Sequence, residues 1–404
     1  MTIFRTTITA FLESDETKAI VDQAFADRRL EKAITDSHLG GAVGAVAHFS
    51  ESTTPNLIII ETALSGNDLL ESIGGLAEVC DEGTEVLVLG AVNDVATYRS
   101  LTQEGVSDYL VSPFTPIQIY QAIESVAIDP AEPPRGRVIA FIGAKGGTGS
   151  STVAHNIAWS LAQIHDDDVV VLDLDLAFGT LGMAFNMESE QGIVDALAQP
   201  DRLDEVLLKR YMSMPEDHLM LLSARGALDS DADIDTESFD TLLNLVRTTA
   251  PFIVLDVPTH WTSWTQHVLK GCEEIVVTSM LDLACLRDSK NLVDTLTAGR
   301  PNDAPIRLVV NHQGAFRKSE LSTKDFEHAV GSSPDLVIAH DPALFGTATN
   351  NGQMIGVENP RHKVTEGFNA LAQTISGIEP PKSKKQESEK AAGAFSFLTK
   401  LRKG

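Results

Sequence analysis

Cysteine is scarce. Cys80, Cys272 and Cys285 are the three in 404 residues. They form no CxxC pair and leave one over, so neither a disulfide framework nor an iron–sulfur or zinc site is indicated, and reduced core thiols are expected. Long apolar runs are also missing: no window of about 18 uncharged apolar residues, the length a spanning helix needs, occurs in the chain. The first residues, MTIFRTTITAFLESDE, carry no basic region followed by an apolar one, so no export signal is read there. These absences lead to the expectation of a cytoplasmic protein. Positive charge is short as well. With 31 Lys and Arg against 57 Asp and Glu, the formal charge is −26, which disfavours nucleic acid as a partner of the whole protein. The histidines show no metal-ligand spacing and are expected on the surface or in the core.

What the chain has is enough apolar residue, 43 % over its length, for two full cores. Its centre is Val138 to Ser160, VIAFIGAKGGTGSSTVAHNIAWS. Five apolar residues break into a glycine-rich turn, Gly143-Ala144-Lys145-Gly146-Gly147-Thr148-Gly149, and a helical pattern follows from Ser150. Glycines let the backbone fold its N–H groups around an anion, and the helix behind adds its positive end. The loop reads as a phosphate cradle. Against the pattern G-x-x-x-x-G-K-[ST], Gly149 and Ser151 match, while Ala144 replaces the first glycine and Ser150 the usual lysine.

Two later runs end in carboxylates. Val169 to Leu172 delivers Asp173-Leu174-Asp175, and Phe252 to Leu255 delivers Asp256. Ligands of open parallel sheets sit at carboxyl ends of strands. If both strands flank the loop strand, Asp173, Asp175 and Asp256 converge on the phosphates and on Mg²⁺, a hard cation that prefers oxygen ligands.

The order K-G-G-T-G-S-S-T resembles the deviant Walker A loop of the ParA/MinD superfamily, whose members carry one lysine early in the loop and one near its end. Here Lys145 matches the first and the second is absent. The resemblance implies a homodimer that sandwiches ATP, with Lys145 reaching the partner's phosphates and with Gly146, Gly147, Thr148, Gly149, Ser150, Ser151 and Thr152 lining the nucleotide. It further implies that Asp175 orients the attacking water, Asp256 acts on Mg²⁺ through water and Ser151 supplies a direct hydroxyl ligand. Asn311, ending Leu308-Val-Val-Asn311, would read the adenine edge, and the loop Ala339-His340-Asp341-Pro342 would close over the base. Without the late lysine, nucleotide binding should outlast hydrolysis.

Before this region, residues 1–129 alternate short apolar runs with helical patterns: Ile8 to Leu12, a helix through Lys18 to Arg28, Leu57 to Ile60, Val86 to Leu89 and Asp108 to Val111. Five βα units would make a doubly wound parallel sheet. The order resembles a response-regulator receiver domain, a flavodoxin-like fold. That family places an acceptor aspartate, a Ser or Thr, and a lysine before a cis-proline at three strand ends. Glu61, Gly90 and Ser112 stand there instead, so a degenerate receiver that binds partners is expected. Glu61 is read as a solvated strand-end carboxylate, and Glu13, Asp15 and Glu16 as counterparts of the metal-binding acids. Residues 130–137, with their prolines, form the linker. Residues 138–378 are the second, ParA/MinD-like domain, with a mainly parallel sheet.

The combination of a receiver-like domain without its acceptor, a loop without its late lysine, and the runs DLDLAFGTLGMAFN, WTSWTQHVL, DLACLRDSKNL and DPALFGTATNNGQMI resembles the CpaE/TadZ family of Flp (Tad) pilus assembly proteins. That likeness implies a factor that marks a cell site, often a pole, and recruits the pilus secretion machinery. Trp261 and Trp264 are expected in the core. A ParA-type partition or DNA-tethering ATPase is the alternative, opposed by the acidic balance; a ligase or reductase on the same fold would need a substrate pocket or a cysteine pair.

Residues 379–404 differ in character. Seven Lys or Arg and three Glu make this segment +4, so the preceding residues hold −30. Its first part reads as a disordered linker. If residues 394–404 are helical, Ala394, Phe397, Leu398 and Leu401 share one arc flanked by Lys400, Arg402 and Lys403, an arrangement suited to an anionic inner-membrane surface.

Overall fold

The computed structural model describes residues 6–127, 135–188, 191–224, 235–316 and 318–377. The chain divides into two compact units, residues 1–133 and 134–404. Most of the linker and the whole basic segment 379–404 lie outside the described residues, as does the membrane contact expected of 394–404.

In the first unit the strands β1 (Thr7–Leu12), β2 (Ile34–Leu39), β3 (Leu57–Thr62), β4 (Glu85–Gly90) and β5 (Asp108–Val111) form one sheet in the order β2-β1-β3-β4-β5. Every pairing is parallel, and the order is that of the flavodoxin-like doubly wound class. The central β3 is almost wholly buried, and Leu57 to Ile60 read as a continuous apolar run for that reason. Strand β2, Ile-Thr-Asp-Ser-His-Leu, is an edge strand with no fully buried residue. Its polar alternation hides it from a search for apolar runs.

In the second unit β6 (Arg137–Gly143), β7 (Val169–Asp173), β8 (Ser213–Glu216), β9 (Leu219–Leu222), β10 (Phe252–Val257), β11 (Glu274–Ser279), β12 (Arg307–Gln313) and β13 (Leu336–Ala339) make an eight-stranded sheet, ordered β13-β12-β11-β6-β10-β7-β9-β8. Only β8 runs antiparallel. The order corrects one expectation. Strand β6 is flanked by β10 and β11, and β7 lies one place further out, paired with β10.

Successive side chains of a strand point to opposite faces, and both faces of this sheet are covered. Val138, Ala140 and Ile142 join one core with Phe239, Leu242 and Val246. Ile139 and Phe141 join the other with Val153, Ala154 and Ile157 of the helix Ser150–His165 and with Phe368 and Leu371 of the helix Lys363–Ser376. The amino-terminal edge is tied by charge. Buried Glu274 holds Arg137 at 2.6 Å and also pairs with Arg307, which in turn lies 2.9 Å from Asp335. Trp264 packs edge-on against Phe239 with ring centroids 5.8 Å apart, as a core residue does. Trp261 is 43 % exposed, which corrects the expectation that both tryptophans are core.

Candidate functional site

The glycine-rich turn sits where β6 ends and the helix Ser150–His165 begins. Gly149 precedes the helix at φ 85°, a left-handed conformation that costs a side-chain-bearing residue. A Cβ there would also lie 2.5 Å from Asn311 Nδ2. The turn is fixed internally: Thr148 Oγ1 donates to the Lys145 carbonyl at 3.0 Å, and Ala144 N donates to Thr278 O at 2.8 Å. Lys145, Gly146 and Gly147 are exposed, and a Cβ on Gly146 or Gly147 would meet nothing within 4 Å, so the loop's outer wall is open to a ligand. Ser151 and Thr152 are half-buried in the first helical turn.

Alternation places four further residues on the face that carries this helix. Val171, Val254, Val276 and Val309 all belong to the core beneath it, so Asp173, Asp256, Thr278 and Asn311, two positions on, share that face. Across the sheet the order is β7, β10, β6, β11, β12. The carboxylates therefore stand on one side of the loop, and a hydroxyl and an amide on the other.

On the acidic side, Asp173 and Asp256 are register partners, with 0 % and 5 % exposure. Asp173 accepts from the amides of Asp175 at 3.2 Å and Leu181 at 3.1 Å. Burial, with the neighbouring charge of Asp256, pushes its carboxyl up to about 7. His155, itself buried, has Nε2 3.3 Å from Asp256 Oδ2. Sequence reasoning missed this histidine; its signal is a polar residue five positions after Ser150 on a helix whose apolar neighbours are buried. Asp175 is half-buried and caps the turn that follows, accepting from Phe178 N at 3.0 Å.

On the neutral side, Asn311 is 4 % exposed and its amide donates to Thr148 O at 2.9 Å while accepting from His312 N at 2.8 Å. The amide thus braces the loop. Next to it His312 and His340 approach at 3.3 Å between their Nδ1 atoms, and burial and His340 hold the His312 imidazole below its usual range. Asp341 caps the helix Pro342–Asn351, accepting from Leu344 N at 3.0 Å. The structure thus gathers residues 145–152, Asp173, Asp256 and Asn311 around one helix end and gives Asp341 a capping bond of its own.

The residues fit a polyphosphate with a hard divalent cation. An open turn of backbone amides, a helix amino terminus, one exposed lysine and two carboxylates are the donors such a ligand needs. The raised Asp173 fits as well, because a bound cation would favour the ionised carboxylate that burial disfavours.

The model of a family described as "AAA domain" matches residues 136–301. A putative septum site-determining protein MinD from Guillardia theta is 23 % identical over 60 % of this chain and 89 % of its own length. The crystal structure of a ParA family ATPase from Chlorobium tepidum superposes with a TM-score of 0.55 at 23 % identity, covering 59 % of this chain and 98 % of that one. The second unit has the fold of a ParA/MinD-like P-loop domain. A solved pilus assembly protein CpaE from Caulobacter crescentus is 41 % identical over 32 % of this chain and 98 % of its own, with a TM-score of 0.31.

The ParA/MinD-like domain departs from the P-loop pattern at Ser150, which is 8 % exposed. In the first unit a different site has closed on itself. Glu61 accepts from Glu13 N at 2.7 Å, Ser14 N at 3.0 Å, Ser14 Oγ at 3.1 Å and Thr17 Oγ1 at 2.6 Å. Glu13 answers by accepting from Ala63 N at 3.0 Å. Glu61 is therefore no solvated strand-end group: β3 pairs with β1, which carries the carboxylate to the start of the helix Asp15–Phe25. Asp15 and Glu16 are exposed in that helix's first turn, and no cluster of three candidate metal ligands occurs among the described residues.

Proposed function

We propose that this chain is an ATP-binding localisation and assembly factor for the Flp (Tad) type IV pilus secretion machinery, acting as a homodimer gated by Mg²⁺-ATP. The observation that carries the reading is the loop itself: a complete backbone cradle with Lys145 exposed and with a buried serine where the pattern has its lysine. Losing one preorganised donor typically costs ~10²–10³ in rate while amide contacts still hold the phosphates. Such a site is a slow switch rather than a fast hydrolase. In this reading Lys145 and the residues 146–152 grip nucleotide, Ser151, Asp173 and Asp256 serve Mg²⁺, Asp175 positions water, and Asn311 and Asp341 border the base.

The first unit supports the same conclusion. Its strand order suits a receiver-like module, and the carboxylate at the acceptor position is consumed by internal hydrogen bonds, so its role is to bind partners. The pilus assignment rests on the union of these two modules with the sequence runs noted above. Residues 394–404 would add an inner-membrane contact strengthened in the dimer through effective concentration. Sizing with light scattering tests the switch: the protein should double in mass with Mg²⁺ and an unhydrolysable ATP analogue, and Lys145→Ala should stay monomeric. An unchanged mass overturns the reading.

A further inference from the structure

Ser150 and Thr278 present an unusual pair. Ser150 opens the loop helix and is 8 % exposed; Thr278, at the carboxyl end of β11, is 0 % exposed. Their hydroxyl oxygens are buried and have no hydrogen-bond partner among the described residues. A buried hydroxyl without a partner is costly, and two of them at one helix end indicate a ligand. Thr278 is the register partner of Gly143, the last residue before the turn, and its carbonyl accepts from Ala144 N. Both hydroxyls thus belong to the wall of the cradle.

The chemistry of that wall selects the ligand. The carboxylates Asp173 and Asp256 stand on the β7 and β10 side of the loop, whereas β11 and β12 contribute Thr278 and Asn311. Divalent cations are held through charged oxygens, so the acidic side suits Mg²⁺. Neutral oxygens suit an ion of lower charge. The need for such an ion is set by the sequence: Lys145 is the only Lys or Arg from residue 138 to residue 201, and a triphosphate brought here keeps negative charge even with Mg²⁺ bound.

We propose that Ser150 Oγ and Thr278 Oγ1 bind a monovalent metal cation, of the size of K⁺ or Na⁺, that supplies beside the phosphates the positive charge the loop lacks at position 150. The inference rests on the nucleotide reading and assigns the other half of that site. The ion completes its coordination with phosphate oxygens, so ion and nucleotide bind together.

Calorimetric titration of the full-length protein with Mg²⁺ and an unhydrolysable ATP analogue tests it, in potassium, sodium and N-methylglucamine chlorides of equal ionic strength. The wild type should bind at least about tenfold more tightly in one of the alkali salts than in N-methylglucamine, an organic cation too large for the wall. Ser150→Lys, which brings its own ammonium, should bind equally in all three. Thr278→Val, which keeps the shape without the hydroxyl, should lose most of the ion dependence. Equal wild-type affinity in all three salts overturns the cation site alone, whereas no binding in any salt overturns the nucleotide reading and this inference with it.

Discussion

Replacing Asp173 by asparagine should make the protein more stable at neutral pH while damaging its function. The carboxyl is fully buried beside Asp256, and its pKa rises from 3.8 to about 7. A group with a raised folded-state value holds its proton better when folded, so its contribution is favourable below the unfolded value and is lost as pH climbs from about 4 to about 7. Ionisation costs the fold about 2 kcal/mol at pH 5 and, above pH 7, roughly 4 as a ceiling. Asparagine cannot ionise. It gives up one of the bonds from Asp175 N and Leu181 N, a constant loss of about 1 kcal/mol. The difference in unfolding free energy between variant and wild type should therefore move by roughly 2–3 kcal/mol in the variant's favour between about pH 5 and pH 8. Urea titrations with EDTA present read that difference directly. Parallel stability curves across this interval would refute the argument that burial and Asp256 hold the proton on Asp173.

Two further outcomes test the parts that frame the site. Glu61→Ala removes the acceptor of four donors at the start of the helix Asp15–Phe25, worth about 2 kcal/mol for bonds to a half-exposed charge. Hydrogen exchange at the amides of Glu13 and Ser14 should accelerate roughly 30-fold in the full chain, and unchanged protection would show the carboxylate to be idle. Glu274→Ala leaves Arg137 with the Ile375 carbonyl and Arg307 with Asp335. Breaking such a buried pair costs about 3 kcal/mol, a fall in melting temperature of roughly 6–12 °C; a fall under about 2 °C would assign the network no structural weight.

Much of the second unit was legible because its chemistry is local. A strand, a glycine turn and a helix follow one another in sequence, and the glycines appear where positive φ and close approach demand them, as Gly149 against Asn311 shows. Asp173 and Asp256 were legible as ends of apolar runs. Their neighbours were not, since strand order is a property of long-range pairing: β10 inserts between β6 and β7, and β11 takes the other flank. For the same reason Thr278 went unread. Only the pairing of β11 with β6 brings that hydroxyl to the loop. His155 was lost in the helical pattern, where its place facing Asp256 depends on the sheet beneath. In the first unit Glu61 was plain as the end of an apolar run, yet its fate depended on β3 lying beside β1. Edge strand β2, polar and half-exposed, carried too little apolar signal to register.

In the proposed function the turn from Lys145 to Thr152 grips a nucleoside triphosphate through main-chain amides and a single lysine. Isothermal titration of the full-length protein with Mg²⁺ and an unhydrolysable ATP analogue, in potassium chloride, measures this most directly. Saturable binding of one nucleotide per chain, lost in Lys145→Ala and in EDTA, is the predicted result. Heat of dilution alone would contradict it.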